Sequence, residues 1–197
     1  MTEETVGRRE RKKAQTRQAL ADAALRLFAE RGFDAVGVRE VAEAADVSVS
    51  TLFKHFSGKE ALIFDEDEGQ EAALVAAVRD RPPGRSVLHA LRDHLVRTRV
   101  TVPDNPDFVA IMELLRTTPA LQEYADRMWR RHEKALAAAI AEAIGGAEDD
   151  LAVAALAHFA MESSGLVRGR EDRPGAMREV FALLEHGWGD GPMGATD

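Results

Sequence analysis

Apolar residues recur every three or four positions along most of the chain, the spacing that places them on one face of an α-helix. Leu20, Ala24 and Phe28 begin the first such stripe, and Gly32 follows it as a helix stop. This pattern predicts a first helix over about residues 10–31. No segment shows the strict alternation of apolar and polar residues that marks a strand, and there is no internal repeat. The chain is therefore predicted to be all-α, with about nine helices.

A pair of short helices is predicted next. Val38, Val41 and Ala45 form the apolar stripe of the second helix, and a new stripe begins after Ser48. Ser48 is the expected N-cap of the third helix, because a serine hydroxyl accepts a hydrogen bond from an amide of the first turn. Two short helices that are joined by a tight turn, each with one apolar face, form a helix-turn-helix. We therefore expect an N-terminal three-helix domain of this type over residues 1–58.

The following residues, 59–190, are predicted to form a second, wholly helical domain. Ser57 and Glu60 have the spacing of a capping box, which predicts a long fourth helix that begins beside them and runs to about residue 80. Five further helices are expected between residues 87 and 186, because apolar stripes alternate there with proline and glycine breaks.

Charge is unevenly distributed along the chain. The formal net charge is −8, but residues 1–60 contain 11 Lys and Arg against 10 Asp and Glu, so the excess of acid lies beyond them. Six of these basic residues cluster near the N-terminus, at positions 8, 9, 11, 12, 13 and 17. Such an arm can bind phosphates although the molecule as a whole is acidic, or it can be a solvated terminus with no partner.

The composition excludes several classes of protein. The 197 residues include no cysteine, so disulfides, thiolate zinc sites and cysteine nucleophiles are ruled out. No apolar run reaches the roughly 18 residues of a membrane helix. The charged N-terminus also lacks the apolar core of a secretory signal. We expect a cytoplasmic protein without membrane contact.

The segment 16–62 resembles the TetR (tetracycline-repressor) family of bacterial regulators. The similarity rests on three stretches, residues 24–33 (ALRLFAERGF), 38–48 (VREVAEAADVS) and 50–62 (STLFKHFSGKEAL). The resemblance implies a homodimeric transcription regulator, a repressor that a small-molecule effector releases from a palindromic operator of double-stranded DNA. It implies neither a cofactor nor an enzymatic activity.

The start of the third helix carries the predicted DNA contacts. A helix fits the major groove of B-DNA, and short hydroxyl and methyl side chains at its N-terminal end reach phosphates, base edges and thymine methyl groups. Arg39 is long enough to reach a guanine edge, although it could instead pair with Glu43 one turn on. The resemblance implies phosphate contacts by Thr51, His55 and Lys59. The predicted DNA-binding residues are Arg39, Ser48, Val49, Ser50, Thr51, Phe53, Lys54, His55 and Lys59.

Four positions in this segment depart from the family pattern. Phe53 stands where relatives have a tyrosine whose hydroxyl binds phosphate, so a van der Waals contact or a place in the core is expected there. Ser50 and Asp46 replace glycines, and Asp46 puts a negative charge into the turn. Gly37 replaces a serine or threonine cap. His55, although it matches a phosphate-contact position, could also be an ordinary surface histidine.

The eighth helix, predicted from about residue 148 to residue 167, is apolar on almost every face. A helix of that kind must be buried on every face, and a chain of this size offers few such places. We therefore expect it to pack both on its own core and on a second subunit. The resemblance likewise implies dimerisation through the last two helices as a four-helix bundle. The predicted interface residues are Leu156, Met161, Leu166, Val180, Phe181 and Leu184.

The resemblance also places an effector pocket within helices four to eight. Methionine and aromatic residues at helical spacing suit such a pocket, but they are also the ordinary content of a core. Glu162 stands out because a buried carboxylate needs a partner. That partner could be His158, an arginine, a cationic ligand or a polar group in the dimer interface. The candidate ligand-binding residues are Phe108, Met112, Tyr124, Met128, Trp129, His158, Phe159 and Glu162.

Two other classes of function stay open on the sequence alone. His158 with Glu162, and His89 with Asp93, have the i, i+4 spacing of a metal pair, which would suit a metal-dependent helical enzyme. No third ligand or catalytic motif accompanies either pair, so we expect no metal and no catalytic site. An architectural DNA binder without a sensor is the other alternative. It would not need the roughly 135 residues that follow the helix-turn-helix.

Overall fold

Helices form every regular element in the part of the chain that this computed structural model describes, residues 3–65, 67–100 and 106–186. The nine α-helices of these residues confirm the all-α prediction. A 3-10 turn (Glu60–Leu62) precedes the fourth helix, and a π-helical segment (Val96–Val100) continues the fifth. The α-helices are α1 (Glu3–Arg31), α2 (Val38–Ala44), α3 (Val49–His55), α4 (Asp67–Arg79), α5 (Val87–Leu95), α6 (Pro106–Thr117), α7 (Pro119–Ile144), α8 (Leu151–Val167) and α9 (Arg173–His186). None of the helices described is both long and apolar enough to cross a membrane.

The chain divides into two compact units. The first consists of Met1–Glu68 and Asp104–Arg127, and the second of Gly69–Pro103 and Met128–Asp197. In the first unit α1 packs against α2, α3 and α6. Burial of each large apolar side chain in that core contributes about 1.5–3 kcal/mol. Its fully buried side chains include Leu20, Phe28, Val41, Leu52, Leu62 and Leu121.

The predicted end of α1 and the predicted N-caps of α2 and α3 are confirmed. Gly32 ends α1 with a φ of +85°, a left-handed conformation that glycine adopts without strain. Phe33 then folds back on the last turn, with its ring centroid 5.0 Å from that of Phe28. Gly37 is the N-cap of α2, and Ser48 is the N-cap of α3.

The predicted start of the fourth helix is wrong. The chain makes only the 3-10 turn Glu60–Leu62 near the expected cap, and α4 begins at Asp67. The guanidinium of Arg17 in α1 donates to the carbonyl of Asp65 at 2.7 Å, within the segment between the 3-10 turn and α4. The spacing of Ser57 and Glu60 depends only on residues three positions apart, so it could not indicate such a long-range contact.

Two other helix starts differ from the sequence prediction. α1 begins at Glu3 rather than near residue 10, because its charged first turns carry no apolar stripe from which to predict them. α8 begins at Leu151 rather than near residue 148. Asp150 caps it, with a carboxylate oxygen that accepts from the amide of Ala152 at 2.8 Å.

The second unit is built from α4, α5, α8, α9 and the later turns of α7. α9 packs against both α5 and α8. α8 is not buried on every face within the chain: Leu151 is 82%, Phe159 51% and Leu166 63% exposed. The buried side chains of this core include Leu74, Leu91, Leu136, Ala157, Met177 and Phe181.

Candidate nucleic-acid interface

The turn between α2 and α3 sets the geometry of the helix-turn-helix. Asp46 has a φ of 54°, the left-handed conformation that glycine would adopt more readily. The amide of Val47 then donates to the carbonyl of Ala42 at 2.9 Å. An open concavity lies at this turn, and its lining includes Arg39, Glu43 and Ser48. The turn therefore leaves the end of α2 and the start of α3 side by side.

The first turn of α3 presents three hydroxyl groups. Ser48 Oγ accepts from the amide of Thr51 at 3.1 Å, and it lies 2.8 Å from the hydroxyls of both Ser50 and Thr51. Ser48 and Ser50 are exposed, and Val49 and Thr51 are half-buried. Each hydroxyl has one donor and two acceptor positions, so the cluster keeps capacity for phosphate or base contacts.

The other side chains of α2 and α3 that are predicted to contact DNA differ in exposure. Arg39 and Lys54 are exposed, and within the described residues Arg39 forms no ion pair with Glu43. Phe53 is 52% exposed, so it is not a core residue, whereas Phe56 is buried at 3%. The exposed ring of Phe53 therefore lies on the same helix as the hydroxyl cluster without taking part in the core.

His55, the last residue of α3, is half-buried beside α1. The guanidinium of Arg17 donates to the carbonyl of His55 at 2.6 Å. Burial is the largest cause that lowers the pKa of His55, and the positive charges of Arg17 and Lys13 lower that pKa further, against an opposing effect of Asp65. The imidazole is therefore biased towards its neutral form in the folded chain.

Lys59 is engaged within the chain. Its Nζ donates a short hydrogen bond to the carbonyl of Phe33 and lies 4.1 Å from the centroid of the Phe33 ring. Burial lowers the pKa of Lys59, although Asp34 and Glu60 oppose that effect. The amine thus fastens the 3-10 turn to the end of α1, and the phosphate contact expected of Lys59 stays a prediction.

The candidate effector residues belong to both units of the chain. Met112 and Tyr124 belong to the first unit, where Tyr124 stacks on Phe64 with ring centroids 5.0 Å apart. The other described candidates belong to the second unit and are Met128, Trp129, His158, Phe159 and Glu162. The side chain of Phe108 lies outside the described residues.

Glu162 is exposed rather than buried, which removes the reason for requiring a buried partner. His158 is also exposed, and its Nδ1 lies 3.3 Å from Glu133 of α7 instead of pairing with Glu162. Both side chains therefore lie on the outer side of α8 in the single chain. No group of three metal-ligating side chains occurs among the described residues.

A buried polar residue outside the predicted sites lies on α7. His132 is 0% exposed, and its Nε2 lies 3.8 Å from Glu71 of α4. The same carboxylate oxygen is 2.7 Å from Nε of Arg131. Trp129 meets the imidazole edge-on, with centroids 5.9 Å apart. The position of His132 in the apolar stripe of its helix was the one available signal, and it fits a core residue equally well.

The predicted dimer residues fall into two groups. Leu166 is 63% exposed, and the side chains at positions 156, 180 and 184 are half-buried. Met161 and Phe181 are 8% and 1% exposed, because both pack in the core of their own chain. The exposed apolar surface of α8 instead includes Phe159.

Comparison with known proteins agrees with this geometry. The family model of bacterial regulatory proteins of the tetR family matches residues 20–65, and the model of the MftR C-terminal domain matches residues 81–188. The HTH-type transcriptional regulator TcmR of Streptomyces glaucescens is 34% identical over 151 residues, 73% of this chain and 67% of TcmR. The HTH-type transcriptional repressor AcnR of Corynebacterium diphtheriae is 30% identical over 133 residues, 64% of this chain and 62% of AcnR.

The fold is also found in solved structures. Salmonella enterica GusR superposes with a TM-score of 0.55 and 21% sequence identity, over 87% of this chain and 92% of GusR. At that identity the likeness concerns the fold alone. The two family models, however, cover the helix-turn-helix and more than half of the chain beyond it. The protein belongs to the TetR family of bacterial regulatory proteins and is a DNA-binding transcriptional regulator.

Proposed function

We propose that this protein is a homodimeric repressor that binds a palindromic operator and leaves it when a small-molecule effector binds. The observation that carries the proposal is the exposed first turn of α3. Its hydroxyl cluster projects from a packed helical unit, at the end of the helix that enters the major groove in such motifs. The similarity to AcnR, which is named a repressor, supports repression over activation.

The side chains of the interface suit distinct parts of the DNA. Ser48 holds the first turn of α3 by capping it, while Ser50 and Thr51 keep hydroxyl capacity for a phosphate or a base edge. Arg39, which is exposed and unpaired with Glu43, can bind the O6 and N7 atoms of a guanine. Lys54 is exposed and suits a phosphate.

The exposed apolar face of α8 supports dimerisation. Phe159 and Leu166 are each more than half exposed in the single chain, although they lie on a helix with few polar residues. A second copy that packed the same face against this one would bury both residues in an isologous interface. Twofold symmetry would then place the two α3 helices one turn of DNA apart, about 34–36 Å, or somewhat more.

The effector is proposed to bind among the helices of the second unit. A ligand can change DNA affinity only if it binds more tightly to one arrangement of the subunits than to the other. The buried His132, with Glu71 and Arg131 beside it, provides polar groups at the core of that unit. A small molecule that carries both apolar surface and a hydrogen-bonding group suits this environment.

The proposal is tested by selecting genomic DNA fragments with the purified full-length protein and sequencing them. We expect one enriched palindromic sequence, and a loss of about tenfold or more in affinity for it in Thr51→Ala, because a hydrogen bond to a charged group contributes about 1.5–3 kcal/mol. Thr117→Ala, at an exposed threonine of α6, is the matched control and should bind normally. Absence of any enriched sequence would overturn the proposed function, and normal binding by Thr51→Ala would overturn the assignment of the site.

A further inference from the structure

The first turns of α1 extend beyond the hydrophobic core of the first unit. The buried part of α1 begins at Leu20, and residues 7–15 are all exposed. At about 1.5 Å per residue, the helix from residue 7 to residue 19 spans roughly 18 Å. Residues 7–15 contain five basic side chains and a single acidic one, Glu10.

These basic side chains do not stabilise the helix that carries them. Arg8 and Lys12 are four residues apart, as are Arg9 and Lys13, and like charges at that spacing destabilise a helix. Among the side chains that the structure describes, none forms an ion pair with these four. An unfavourable concentration of charge without an ion-pair partner among the described side chains points to an anionic partner outside the chain.

The contacts of Arg17 show which face of α1 lies next to α3, and therefore where the basic side chains of α1 lie relative to α3. Arg17 donates to the carbonyl of His55, the last residue of α3, so that face of α1 meets the end of the reading helix. Lys13 and Arg9 lie one and two turns earlier on nearly the same face, since residues four apart are neighbours on a helix. The charge of Lys13 also reaches His55, where it contributes to the lowered pKa. Arg8, Arg9, Lys12 and Lys13, which we call the basic row, therefore start beside the end of α3 and lead away from it.

We propose that Arg9 and Lys13, with Arg8 and Lys12 beside them, bind backbone phosphates of the DNA that flanks the half-site read by α3. This inference rests on the proposed operator binding. Duplex DNA carries one negative charge per about 1.7 Å of its axis, so a basic row of just under two helical turns, about 8 Å long, meets several phosphates. Such contacts set affinity and position on the duplex, and they carry no sequence information.

The experiment measures the salt dependence of operator affinity for the full-length protein and for two variants that each carry four substitutions. One variant combines Arg8→Gln, Arg9→Gln, Lys12→Gln and Lys13→Gln, in which glutamine keeps a helix propensity close to that of the basic residues. The matched control combines Arg130→Gln, Lys134→Gln, Arg170→Gln and Arg178→Gln, four exposed cations of the second unit. The operator is the sequence selected by the unmodified protein, and the reference is a random duplex of equal length.

We expect the slope of log affinity against log salt concentration to fall by about 0.9 for each phosphate that the α1 variant no longer binds. The ratio of operator to random-duplex affinity should stay within about threefold of the original, because phosphate contacts do not read sequence. Trimming the base pairs outside the half-sites should weaken binding by the unmodified protein and leave the α1 variant unaffected. The control variant should keep the original slope and the original response to trimming.

An unchanged slope in the α1 variant, while the unmodified protein binds its operator, would overturn the inference and leave the proposed function intact. Failure of the unmodified protein to prefer any sequence would instead overturn the proposed function. A variant with unchanged DNA binding that no longer bound vesicles of anionic phospholipid would assign the basic row to a membrane surface, and would also overturn the inference.

Discussion

Arg17 and Asp65 are joined by two contacts within the DNA-binding unit. Arg17 Nη2 donates to the carbonyl of Asp65 at 2.7 Å, and Nε lies 2.5 Å from its carboxylate. The third nitrogen of the same guanidinium donates to the carbonyl of His55, and its central carbon lies 4.5 Å from the centroid of the Phe56 ring. One side chain thus connects α1, the end of α3 and the segment that leads to α4.

Arg17→Lys is expected to lower the free energy of unfolding by about 2 kcal/mol, because lysine keeps the charge but cannot form the planar, multiply bonded fork. Operator affinity should fall as well, since the end of α3 loses its anchor. Urea unfolding and operator titration check both effects. Arg26→Lys, at an exposed arginine of the same helix, is the control. A stability equal to that of the control would contradict the structural role.

The contacts of Arg17 could not be predicted from the sequence. By composition it is one of six basic residues near the N-terminus, and nothing distinguishes it from Lys12 or Lys13. Its partners lie 38 and 48 residues away, and such contacts leave no periodic signal. The cap at Ser48 was predictable because it depends on residues three positions apart.

In α8, too, one feature could be predicted from the sequence and another depends on long-range packing. Its composition predicts burial beyond what one chain offers, and the exposed Phe159 and Leu166 agree with that pattern. The sequence could not indicate which side chains of α8 face the core of the chain and which are exposed. Met161 packs in the core of its own chain while Glu162 is exposed, because α8 packs against α9, α5 and the π-helical segment on one side only.

Lys59→Ala is expected to destabilise the chain by about 1–2 kcal/mol, because the carbonyl of Phe33 loses a charged donor and the ring of Phe33 loses a cation. Lys54→Ala should leave stability almost unchanged, because Lys54 is exposed. Thermal unfolding of the two variants checks the difference. Equal melting temperatures would mean that the contact between Lys59 and Phe33 contributes nothing to the fold.

Asp46→Asn is expected to raise affinity for operator and for random DNA alike, by about two- to fivefold, because it removes a negative charge from the turn beside α3. Asparagine tolerates the left-handed conformation about as well as aspartate does, so the backbone should stay as it is. Competition binding at two salt concentrations measures the gain, which should shrink at high salt. Asp126→Asn, at an exposed position of α7, should leave both affinities as they were.

His55 should make the stability of the protein depend on pH. Burial, with Arg17 and Lys13 nearby, holds its pKa below the ordinary value of 6.5 in the folded state. Between the lowered pKa and 6.5 the unfolded chain binds more protons than the folded one, so the free energy of unfolding falls as the pH drops through that interval. Above 6.5 the contribution is fully present.

His55→Gln removes this titration and should flatten the dependence of the urea midpoint on pH between 7.5 and 5.5. His186→Gln, at an exposed histidine of α9, is the control and should keep the original dependence. DNA acts in the opposite direction, because a phosphate beside the imidazole favours its protonated form. If the predicted phosphate contact forms, operator affinity rises as the pH falls over the range in which stability declines. Identical pH profiles for the unmodified protein and His55→Gln, in both measurements, would show that His55 takes no part in either equilibrium.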